Sequence, residues 1–160
     1  MKLPTIYESF YYQQARDFRY SWRDVDNGEC SEDELYDSHD EFELIKTKIK
    51  FLRTNLARAM NRGELSHEVK VNADYCFEIG EEQDWECALT GDTLEFTRGG
   101  YNWLGKWCNP QSCTIDRIDS AKGYVVGNIQ LITWEANCMK QHMNNSDFIA
   151  FCHAVAEKNP

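Results

Sequence analysis

The stretch Cys113–Lys140, CTIDRIDSAKGYVVGNIQLITWEANCMK, decides how the rest of the chain reads. Thr114 to Ile118 alternates apolar and polar residues and predicts a strand. Lys122-Gly123-Tyr124 and Gly127 supply turn chemistry, and Ile129 to Ile132 predicts a second strand, giving a hairpin with a long connection. Thr133 is a good helix N-cap, and Trp134 to Gln141 completes a strand–strand–helix order. Asp116 falls on the first strand, Asn128 opens the second, and Asn137 lies on the helix. That order can bring a carboxylate and an amide oxygen to one divalent cation. A hard cation such as Mg²⁺ takes oxygen ligands and keeps several waters.

Downstream, Ser146 reads as the N-cap of a last helix, with Phe148, Phe151, Cys152 and Val155 as its apolar stripe. Upstream, Asp74 to Gln83 is helical, weakened by Gly80, and Glu86 to Gly91 breaks into a turn. Residues 97–112 form a loop rich in glycine and tryptophan, whose Arg98 and Lys106 could touch phosphate. In Glu41 to Met60, Ile45, Ile49, Leu52, Leu56 and Ala59 recur at helical steps, and Asn61-Arg62-Gly63 ends the helix. Lys46, Lys50 and Arg53 lie on another face of it. That face is either solvated or phosphate-contacting, and both readings stay open. Residues 24–40 read as a loop with short helical pieces. The aromatic residues between 5 and 23 read as helical and packed on the rest.

At 160 residues the chain suits one domain with an N-terminal extension, and its 42% hydrophobic share allows a real core. The formal net charge of −10 argues against loose, charge-driven binding to nucleic acid. The charge is unevenly placed. Ten Asp or Glu and no Lys or Arg fall between Asp24 and Glu43, whereas six basic residues and no acid fall between Lys46 and Arg62. The acidic run reads first as a solvated segment. Sharper readings are an arm that masks the basic helix, or a DNA mimic that engages a host or phage protein. No apolar run approaches the ~20 residues that span a bilayer, and MKLPTIYESFYYQQARD lacks a secretory core, so a cytoplasmic location is expected. The seven cysteines read as reduced thiols. Cys87, Cys108, Cys113 and Cys138 are spaced poorly for a structural zinc.

Taken together, ECALTG (86–91), IDRIDSAKGYVVGNIQLITWEANCMK (115–140) and SDFIAFC (146–152) resemble the small HNH (ββα-metal) nucleases of phages and mobile elements. The likeness covers roughly residues 74–157, and residues 1–70 have no counterpart in it. It implies an α+β fold: a ββα-metal (His-Me finger) core with flanking helices and a helical N-terminal extension. The extension would be residues 1–70, with an acidic segment 24–43 and a basic helix 44–62. The HNH-like domain would be residues 71–160. The implied activity is metal-dependent DNA cleavage or nicking by phosphodiester hydrolysis, with Mg²⁺ or Mn²⁺, by a phage protein in the bacterial cytoplasm. Asp116 and Asn137 would be the metal ligands, Asn128 the brace of the loop, and Lys140 a residue near phosphate.

Arg117 departs from that pattern, because it occupies the slot of the general-base histidine. A guanidinium stays protonated and only donates, so the proton would need another acceptor. Asp119, two residues on along an extended strand, and His142, at the end of the helix, are the side-chain candidates. Hydroxide or a substrate phosphate oxygen is the remaining option. Arg117 itself suits bidentate clamping of a phosphate. The competing expectation is an HNH-derived protein that has lost catalysis and binds DNA or a host protein.

Overall fold

A computed structural model describes residues 5–60, 68–97 and 109–160, the Trp22 side chain excepted. After a 3-10 turn at Ile6–Glu8 come α1 (Phe10–Asp17), α2 (Trp22–Asp26), α3 (Glu32–Met60) and α4 (Ala73–Glu82). Strands β1 (Cys113–Arg117) and β2 (Ile129–Thr133), then α5 (Trp134–Lys140) and α6 (Asn145–Lys158), complete the order. Helix and strand are thus mixed, as an α+β class requires. Among the described residues no helix is long and apolar enough to cross a membrane.

Helix α3 is the spine. It begins nine residues before the start expected from sequence, because Ser31 and Glu34 form a reciprocal cap. The Ser31 hydroxyl accepts from Glu34 N at 3.2 Å, and the Glu34 carboxylate accepts from Ser31 N at 2.8 Å. Glu32, Asp33 and Glu34 then sit in the first turn, where the helix dipole favours negative charge. Residues 32–40 are therefore helix and not loop. Leu35, Phe42, Ile49 and Leu56 are buried at seven-residue steps, joined by Leu52 and Ala59. One rod of about 43 Å carries acid at its start and base toward its end. Asp33 and Arg58 stand roughly 37 Å apart along the axis, so residues 32–43 cannot fold over the basic end of their own helix. The masking-arm reading fails for them.

The core runs through both halves of the chain. Tyr12, Phe42, Ile49, Leu52 and Leu56 belong to one cluster with Phe77, Ile115, Leu131 and Ile132. The N-terminal aromatic residues enter it only in part. Tyr12 is buried and Tyr11 stacks on Phe77 at 4.5 Å, but Tyr7, Phe10 and Phe18 stay exposed.

Strands β1 and β2 are antiparallel, with Cys113 opposite Thr133 and Arg117 opposite Ile129. All of β2 is buried. Gln83, just past α4, clamps its centre: Oε1 accepts from Leu131 N at 2.9 Å and Nε2 donates to Leu131 O at 2.8 Å. Gly80 is in α4 for a packing reason that outweighs its low propensity, since a Cβ there would collide with the Trp85 ring. Thr133 caps α5, its side chain accepting from Ala136 N. Asn144, and not Ser146, is the N-cap residue of α6. No residue of α6 is buried, and Phe151 and Val155 are exposed, so its apolar stripe faces outward.

Candidate active site

Asp116 points inward from β1 and is held from two sides. Gln130, its partner across the hairpin, donates to Oδ2 at 2.9 Å, and Lys140 of α5 places Nζ 3.0 Å from the same oxygen. Lys140 also donates to Arg117 O at 2.9 Å and is fully buried. Gln130 is fixed in turn by a reciprocal amide pair with Asn145, at 2.8 and 2.9 Å. A lysine in an apolar interior needs this pairing, because an unpaired buried charge is costly. The expectation that Lys140 contacts phosphate is thereby corrected. It reaches under the strand and sets the carboxylate.

Asn128 spans the loop between the strands. Its Nδ2 donates to Asp119 O at 3.1 Å and Gly123 O at 2.9 Å, and its Oδ1 accepts from Asp119 N at 3.0 Å. The segment 68–70 closes the other side of the loop: Tyr124 N donates to Glu68 O at 2.7 Å and Lys70 N to Tyr124 O at 2.8 Å. Gly123 allows this approach, as a Cβ would strike the Glu68 carbonyl. Arg117 braces the same loop, with Nη1 donating to Ser120 O at 2.8 Å and Lys122 O at 3.1 Å. Its Nε and Nη2 make no hydrogen bond among the described residues.

Asp119 is not on the strand face expected from sequence, because β1 ends at Arg117. Its carboxylate accepts from Ala121 N at 3.0 Å and lies 3.2 Å from Lys122 Nζ. The Ala121 amide, then Lys122, hold this carboxyl below its ordinary value, which makes it a poor proton acceptor. His142 is exposed just past α5 and does not line the cavity described next.

A cavity of about 270 Å³ separates α3 from β1 and α5, and Asp116, Arg117 and Asn137 all line it. Both contacts to Asp116 fall on Oδ2. No contact to Oδ1 comes from the described residues, so that oxygen is the one left for a ligand. The Asn137 side chain likewise has no hydrogen bond among the described residues. Neither the protein-family models, the curated proteins nor the solved structures contain a match to this chain. The cavity's described lining holds one carboxylate, Asp116, and the amides of Asn55, Asn137 and Gln141. Oxygen donors of this kind suit a hard cation that retains most of its waters, and Lys140 lowers the negative charge available to it. Asp116 stands alone there as a carboxylate, and no group of three or more His, Cys, Asp or Glu gathers among the described residues. Cys87, Cys113 and Cys138 thus form no cluster of the zinc kind, and burial pushes the Cys113 thiol up to about 12. Cys108, Arg98 and Lys106 lie outside the described residues.

Two lining residues, Asn55 and Arg58, come from α3 and were not singled out from sequence. Asn55 donates to Cys113 O at 3.3 Å and so fixes the helix against β1. The basic residues that were singled out lie elsewhere. Lys46 pairs with Glu43 at 2.7 Å, Arg53 lies beside Ser9 and Asp74, and Lys50 lies on an adjoining groove. The sequence signal for Arg58 was its place eight residues after Lys50, on one helical face.

Proposed function

We propose that the chain is a divalent-cation-dependent DNA endonuclease or nickase of the HNH type, with β1, β2 and α5 as its ββα-metal core. The observation that carries this reading is the shared cavity of Asp116, Arg117 and Asn137. Asp116 Oδ1 and the Asn137 amide oxygen would hold Mg²⁺ or Mn²⁺. When bound, the cation supplies charge neutralisation at the scissile phosphate and at the departing 3′ oxygen. Lys140 and Gln130 fix the carboxylate. Asn128 stiffens the loop against which Arg117 is braced. The Nε–Nη2 edge of Arg117 binds two phosphate oxygens side by side. With Asp119 tied into its turn and His142 outside the cavity, either a substrate phosphate oxygen accepts the proton of the attacking water or hydroxide from solution attacks directly.

Conversion of supercoiled plasmid to nicked circles in Mg²⁺ or Mn²⁺ tests this. Nicking by the wild type, falling at least about a hundredfold in Asp116→Asn, is expected. Asp116→Asn is preferred to Asp116→Ala because it keeps a partner for Lys140. No nicking by the wild type, or equal nicking by a folded Asp116→Asn variant, refutes the reading.

One observation favours a second reading, a binding or inhibitor protein that acts on DNA or a host protein without cleaving it. The Lys140 ammonium already neutralises Asp116. Nucleic-acid binding that is unaffected by divalent cations, with no nicking, is the outcome that selects it.

A further inference from the structure

The basic residues of α3 differ in what they face. Lys46 is paired with Glu43, and the Lys48 ammonium sits 3.6 Å above the Trp85 ring. Lys50 and Arg58 are exposed, and no carboxylate pairs with either among the described residues. Thr47, Lys50, Phe51, Thr54 and Arg58 recur at three- and four-residue steps, so they share one helix face. With Phe96 they line a groove of about 310 Å³. Phe51, Asn55 and Arg58 also line the Asp116 cavity, so the groove adjoins it. Phe51 and Phe96 are half-buried and meet edge to face at 5.8 Å. Beyond Lys46 the helix turns acidic, which repels a polyanion and sets one end to the groove.

Two unpaired cations beside half-exposed rings are the chemistry that receives unpaired nucleotides. The cations follow the phosphates, and the rings stack on bases that a duplex would keep inside. We propose that this face of α3 binds a single-stranded stretch of nucleic acid and leads its backbone to the Asp116 cavity, Arg58 touching both. The delivery step rests on the nuclease reading; the binding step does not.

Fluorescence anisotropy in EDTA tests the binding step. The probes are a labelled oligodeoxythymidylate of about twelve nucleotides and a hairpin duplex of equal length. The wild type should prefer the single strand, with a micromolar dissociation constant at low salt. Lys50→Ala/Arg58→Ala should weaken it at least tenfold. It should also flatten the log–log salt dependence by about 1.4, two phosphates at ~0.7 each. Phe51→Leu should weaken binding with the salt slope unchanged. Circular dichroism and thermal melting check that each variant is folded. Equal or tighter duplex binding, or unchanged affinity and slope in the folded double variant, overturns the proposal. Asp116→Asn separates the two readings. If it binds the single strand like wild type while plasmid nicking fails in both, the groove stands and the nuclease reading falls. Nicking without single-strand preference gives the reverse.

Discussion

Asp116 and Asp119 lie three residues apart in one short motif, and the fold gives them opposite surroundings. Asp116 is on the strand, buried, gripped through one oxygen by Lys140 and Gln130, and among the residues that line the cavity. Asp119 is past the strand end, in a turn, bound to the Ala121 amide and to Lys122. The difference arises where β1 stops. Arg117 spends two hydrogen bonds on the following turn, and Asn128 spends three on the same loop, so the chain cannot stay extended to residue 119. Two identical side chains thus become a candidate ligand and a structural clip.

The sharpest way to break that contrast is at the buried pair. Asp116→Ala leaves Lys140 charged and without its counter-ion, which should cost about 3–5 kcal/mol of folding stability in urea unfolding. Adding Lys140→Met should recover much of it, since the double variant buries no lone charge. A loss below about 1 kcal/mol in Asp116→Ala would mean that the pair is not buried as described. The effect at Asp119 is smaller and depends on pH. Its folded value is depressed from an ordinary 3.8, so its contribution is present above that value and is lost as pH falls through the lower, folded value. Asp119→Asn should melt slightly lower than wild type at neutral pH and approach it in acid, so that the acid side of the stability curve is less steep below about pH 4. A variant whose acid limb matches wild type contradicts the clip.

The hairpin, the Thr133 cap and the position of Asn128 were legible because each rests on local chemistry: alternation, a hydroxyl before a helix, an amide beside a turn. The start of α3 was legible in principle from Ser31 and Glu34, but the density of acid in the segment suggested a solvated loop. Lys140 was misplaced because nothing local tells a buried lysine from an exposed one. Its fate depends on Asp116, twenty-four residues away in the chain and adjacent only after the hairpin and α5 form. Arg58 was missed for a related reason. Which cations of α3 face the cavity depends on how the helix crosses β1, and the Asn55 contact to Cys113 sets that crossing. In α6 the apolar spacing was visible, whereas the absence of a covering surface was not.

The most direct measurement is a Mn²⁺ titration followed by electron paramagnetic resonance, with wild type, Asp116→Asn, Asn137→Ala and Asp119→Asn side by side. The expected result is one Mn²⁺ site in the wild type and in Asp119→Asn, and none in folded Asp116→Asn or Asn137→Ala. Mn²⁺ bound equally by all four proteins, or lost only in Asp119→Asn, would contradict a cation site shared by Asp116 and Asn137.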